Sequence, residues 1–122
     1  EDMDKKGSGW EKLPKKVDAL GHSTGKLDHP EAQRRAEAGG TVVATYHNPN
    51  NAKHGHIALV NAKAGMQNSG RAYWDTQVPS IDGYNTQKKE VREGEPLSKQ
   101  FGKDKEPYMD YYVYKGEKAM LD

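Results

Sequence analysis

The chain has 122 residues, the length of one ordinary domain, and only 33% of them are hydrophobic against 30% charged, so its core is modest. Its 19 Lys and Arg are interspersed with 18 Asp and Glu, which excludes the basic stripe that a duplex-binding domain uses to neutralise phosphates. The absence of cysteine excludes a disulfide scaffold, a Cys-ligated zinc site and any thiol nucleophile within these residues. The longest apolar run, Ile57-Ala58-Leu59-Val60, is far short of the roughly 20 residues of a membrane span.

Residues 1–27 carry Gly7, Gly9, Pro14, Gly21 and Gly25 among scattered lysines and predict irregular structure with at most a short helix over 15–20. Trp10, Leu13, Val17 and Leu20 recur every three or four residues and are expected to dock on the domain. The charged opening Glu1-Asp2-Met3-Asp4-Lys5-Lys6 has no apolar stretch behind it and does not read as a secretory signal peptide. Residues 28–122 are expected to hold a helix followed by a sheet, so that 1–122 form one domain. Asp28 and Glu31 make a capping box, Pro30 falls in the first turn, and the helix formers that follow predict a helix over 29–38 before Gly39-Gly40.

From Thr41 the pattern is that of strands. The β-branched run 41–46 suits a central strand, Asn48-Pro49-Asn50-Asn51 breaks it, and 56–61 is a second strand. Alternating large residues over 71–78 predict a third strand returning beside the second, bracketed by Pro79 and Gly83. Residues 84–107 are polar and read as a surface excursion with one helical turn near 97–101. A last strand over 108–114 sets Tyr112 and Tyr114 on one face and Tyr111 and Val113 on the other. Helix first and a mainly antiparallel sheet of about four strands after it is an α+β arrangement.

The histidines fall at 22, 29, 47, 54 and 56, and three of them crowd the Asn48-Pro49 turn. His54-Gly55-His56 supports a metal reading only with a carboxylate nearby, and its spacing is equally that of one functional histidine or of polar loop residues. No metal and no cofactor is assigned.

Gly55-His56-Ile57-Ala58-Leu59-Val60 resembles the histidine strand of papain-like peptidoglycan hydrolases, the NlpC/P60 and CHAP-like superfamily, in the subgroup of bacterial amidase toxins and lytic enzymes. Residues 32–44 resemble the helix and first strand ahead of that histidine, Asn48-Pro49 the intervening turn, and 78–85 the segment bearing the third catalytic group, so the resemblance spans roughly 32–114. It implies a papain-like core and a cysteine-type amidase or peptidase acting on peptidoglycan stem peptides. In such an enzyme a thiolate attacks an amide carbonyl, a histidine moves the proton, and a polar residue orients the imidazole. His56 matches the base. Asp82, before Gly83, matches the orienting residue; Gln77 is the alternative, because a tight hairpin centred in 65–69 would set it opposite His56. Asp82 read by itself is an Asx turn.

The chain departs from this pattern in having no cysteine. Three arrangements account for that: an N-terminal fragment outside these residues carries the thiol, Ser8 replaces it, or the protein has lost catalysis. The resemblance further implies a protein secreted or delivered to the bacterial periplasm or cell wall, and, by analogy with toxins of this type, an inhibitory immunity-type partner. A reading of another class rests on two Trp, seven Tyr and one Phe, with Tyr73, Trp74, Tyr84, Tyr108, Tyr111, Tyr112 and Tyr114 late in the chain. These rings could line a surface that binds cell-wall sugars or peptides without catalysis, although tyrosines alternating along a strand commonly serve packing.

Overall fold

The computed structural model describes residues 9–50, 55–68, 77–85 and 89–115. His54, Ser8, Tyr73, Trp74 and most of the strand predicted over 71–78 lie outside them. The described elements in chain order are β1 (Trp10–Lys12), α1 (His29–Glu37), β2 (Thr41–Tyr46), β3 (His56–Val60), a 3-10 turn (Ala62–Ala64), β4 (Met66–Asn68), β5 (Gln77–Asn85), β6 (Glu90–Pro96), α2 (Leu97–Gln100), a second 3-10 turn (Lys103–Tyr108) and β7 (Met109–Tyr114).

The strands form one antiparallel sheet in the order β1-β7-β2-β3-β5-β4, with β6 also paired to β5. The α+β arrangement with a mostly antiparallel sheet is therefore present, but the described sheet has seven strands where about four were expected. Three strands are additions: β1 pairs with β7 in a stretch read as irregular, β4 pairs with β5 where the tight hairpin was centred, and β6, with Arg92 and three glutamates, pairs with β5 in a stretch read as polar surface. The helical turn expected near 97–101 is α2.

Helix α1 starts where its cap dictates. The Asp28 carboxylate accepts the Glu31 N–H at 3.2 Å, Pro30 occupies the first turn, and Glu31 binds Arg34 and Arg35 one turn on. His29, Ala32, Gln33 and Ala36, at spacings of three, four and seven, are its buried face. That face covers the sheet column built by Val42 and Ala44 of β2, Ala58 and Val60 of β3, and Met109, Tyr111 and Val113 of β7, which belong to one apolar cluster. β2 is central, between β7 and β3, and accordingly buries Val42, Val43 and Ala44 in succession. β3 alternates instead: Ala58 and Val60 are buried, whereas Ile57 and Leu59 are 50% and 44% exposed on the other face.

The N-terminal segment docks through fewer residues than the spacing suggested. Leu13 is buried, Trp10 packs on Tyr114 at 5.0 Å between ring centroids, and Leu27 joins the core, but Val17 and Leu20 are exposed. No helix forms over 15–20, because Asp18 turns the chain by accepting the N–H groups of Leu20 and His22 with its carboxylate, and Lys16 pairs with Thr24 and Lys26 across the turn.

Candidate functional site

His56 opens β3, directly opposite Tyr46 of β2, and shares its sheet face with Ala58 and Val60. The glycine before it is a steric requirement. A Cβ on Gly55 would overlap the backbone carbonyl oxygen of Tyr46, so β3 can reach β2 at this point only with no side chain there.

The partner of His56 comes from α2. The His56 Nε2 atom is 3.3 Å from Gln100 Oε1, and its ring lies 4.9 Å from the Phe101 ring, tilted by 41°. Gln100 is held there because Leu97 and Phe101, four residues apart, are both fully buried and anchor the single turn of α2 against the sheet. The Gln100 amide nitrogen in turn donates to Glu95 Oε1 at 3.3 Å, and Arg92 Nη1 stands 3.6 Å from that same carboxylate oxygen. Among the described residues the Nδ1 atom of His56 makes no hydrogen bond. At the same end of the sheet the Lys105 ammonium lies 5.1 Å from the centre of the Tyr46 ring.

Neither residue expected to orient His56 does so. Asp82 pairs in register with Leu59, whose side chain is on the face opposite that of His56, and an odd offset along a strand cannot bring the two together. The Asp82 carboxylate instead accepts from Gly94 N–H at 2.8 Å and from Asn61 Nδ2 at 3.2 Å, tying the end of β3 to β6. Gln77 pairs with Asn68 of β4 and is exposed. The tight hairpin that would have set it opposite His56 is not formed: residues 61–65 on one strand face Ser80 alone on the other, which displaces the register.

The other histidines are accounted for differently. His22 and His47 are exposed. His29 is buried at the start of α1 with Nδ1 2.8 Å from the Tyr111 hydroxyl, and burial first, then the Lys16 charge, lowers its pKa to about 4. Among the described residues there is no group of three His, Asp or Glu side chains placed to hold a metal, and no helix long and apolar enough to cross a membrane.

Gln100 lies in a stretch whose composition is that of surface. The available signal was the pair Leu97 and Phe101, two large apolar residues at helical spacing inside polar sequence, which marks a docked turn and so places its neighbours near the sheet. No family model, no curated protein and no solved structure matches this chain.

Proposed function

We propose that this chain is the histidine-bearing part of a cysteine-type amidase or peptidase of papain-like type, acting on the stem peptides of bacterial peptidoglycan, with His56 as general base. The observation that carries it is the His56 ring fixed at a strand mouth, Nε2 on an amide oxygen and Nδ1 unpartnered among the described residues. The resemblance of 55–60 to the histidine strand of that superfamily supports the substrate class.

In this reading Nδ1 takes the proton of a thiol, the thiolate attacks the amide carbonyl, and the imidazolium returns the proton to the leaving amine. Water then enters by the same base and releases the acyl group. These residues contain no cysteine, so the thiol is contributed from outside them. Envelope localisation and an inhibitory protein partner follow from the same reading.

The alternative of a ring-lined binding module has less support. Of the tyrosines whose side chains are described, Tyr111 and Tyr112 are buried, Tyr114 packs on Trp10, and Tyr108 alone is exposed, at 47%.

The test is digestion of purified peptidoglycan by this chain together with the segment or partner that supplies the cysteine, followed by mass spectrometry of the muropeptides. Cleaved stem peptides are expected. His56→Ala should lower the rate at least about a hundredfold and move the melting temperature by only a few degrees, since a partly buried strand-end side chain outside the apolar cluster is not core. An unchanged muropeptide profile with the thiol present overturns the reading.

A further inference from the structure

We propose that Gln100 and Glu95 form a positioning relay that fixes the tautomer of His56, with Gly83 providing the space in which the relay is built. The functional consequence rests on His56 being a general base, whereas the relay itself is a property of the folded chain.

The polarity of the relay follows from what each group can do. A carboxylate only accepts hydrogen bonds, so the Gln100 amide must turn its nitrogen to Glu95 Oε1 and its oxygen to His56. An amide oxygen also only accepts, so His56 Nε2 must carry the hydrogen. In a neutral imidazole the lone pair is then left on Nδ1, the atom that makes no hydrogen bond among the described residues. Arg92 stands 3.6 Å from the same Glu95 oxygen and 3.4 Å from Glu90, so the acceptor at the head of the relay is held in place by a charge on its own strand.

Gly83 belongs to the same arrangement. It lies at the irregularity in the β5–β6 pairing, and a Cβ there would overlap Gln100 Oε1, the atom that faces His56. The bulge and the missing side chain together leave the amide a seat against β5. Phe101, fully buried and tilted on the imidazole, supports the ring from the next position in the chain. Gln100, Glu95 and Gly83 are positioning residues that act through His56.

The test reads the tautomer directly, by long-range 15N–1H NMR of His56 in the neutral state, and needs neither substrate nor thiol. The wild type should show the Nε2–H form. Glu95→Ala lets the amide turn over and should raise the ratio of Nδ1–H to Nε2–H by about two- to tenfold, the equivalent of one ordinary hydrogen bond. Gln100→Leu, which keeps the bulk of the side chain, should reproduce the shift seen with Glu95→Ala, and in that second background a further Glu95→Ala should leave the ratio unchanged, because no amide is left to connect the carboxylate to the imidazole. A predominantly Nδ1–H wild type, a ratio indifferent to Glu95, or an equal shift in both backgrounds overturns the relay. Failure of the hydrolase reading is distinct from this: it appears as the expected tautomer with no cleavage of peptidoglycan, whereas failure of the relay appears as cleavage with a tautomer that ignores residues 95 and 100.

Discussion

Two glycines decide the geometry around His56, and they differ in what a methyl group would meet. At Gly55 the obstruction is the Tyr46 carbonyl oxygen, part of a hydrogen-bonded strand that cannot step aside. At Gly83 it is the end of the Gln100 side chain, which can rotate away. Gly83→Ala should therefore fold, with a loss of about 1–3 kcal/mol from overpacking, and should give His56 the same tautomer ratio as Gln100→Leu. Gly55→Ala should lose more, because relief requires β3 to separate from β2. Urea midpoints for the two variants check the order. A Gly83→Ala protein whose His56 keeps the wild-type ratio would show that Gln100 has no need of the space.

At the level of elements, α2 is one turn of helix with no side-chain cap, and it persists because Leu97 and Phe101 are embedded in the core. Phe101→Ala should destabilise the protein by about 3–5 kcal/mol, with a large part of the effect at the site, since the same ring supports the imidazole. Phe101→Leu should lose less stability and still loosen His56, which the line width of its ring resonances measures. The elements that could be read in the sequence are those whose signals are local or whose two faces are both covered. The Asp28 cap fixes the start of α1, the β-branched run makes β2 a central strand, and alternating tyrosines mark β7. β6 is illegible in the sequence for a physical reason. As a strand it pairs with β5 alone, and its residues are exposed or only partly buried, so it needs no core apolar residues and its sequence looks like a loop. Asp82 lies away from His56 because register depends on how residues 61–65 are stored, and a 3-10 turn there moves the pairing along β5 in a way that hairpin counting does not foresee. The strand that opens on His56 could be read from the sequence, whereas Gln100 is brought to its ring only by the tertiary fold.

Over the whole molecule, acid stability should be governed from a position away from the candidate site. His29 joins the first turn of α1 to the middle of β7 through the Tyr111 hydroxyl, under the core itself. Burial, with the Glu106 and Asp28 carboxylates, raises the Tyr111 pKa well above its ordinary value, so the phenol stays protonated and can donate to His29 Nδ1. Burial and Lys16 lower the His29 pKa from 6.5 to about 4, so between these values the unfolded chain holds a proton that the folded chain excludes. The stabilisation is complete above pH 6.5, is lost as pH falls from there, and levels off below about 4, amounting to about 3 kcal/mol across the window. Against the roughly 5–15 kcal/mol total of a single domain this is a large share. Glu31, whose pKa its hydrogen bonds to Arg34 and Arg35 lower, acts below 4.5, so its loss begins only at the acid end of the His29 window. Urea midpoints measured between pH 7 and pH 4.5 should fall steadily in the wild type. His29→Gln should be less stable at pH 7 and clearly flatter than the wild type over that range. A His29→Gln protein that still loses stability as steeply would place the acid-sensitive group elsewhere. Because α1 rests on the sheet through His29, protonation there should release the helix and the core together, and unfolding followed by near-ultraviolet and far-ultraviolet circular dichroism should coincide at pH 5 as at pH 7.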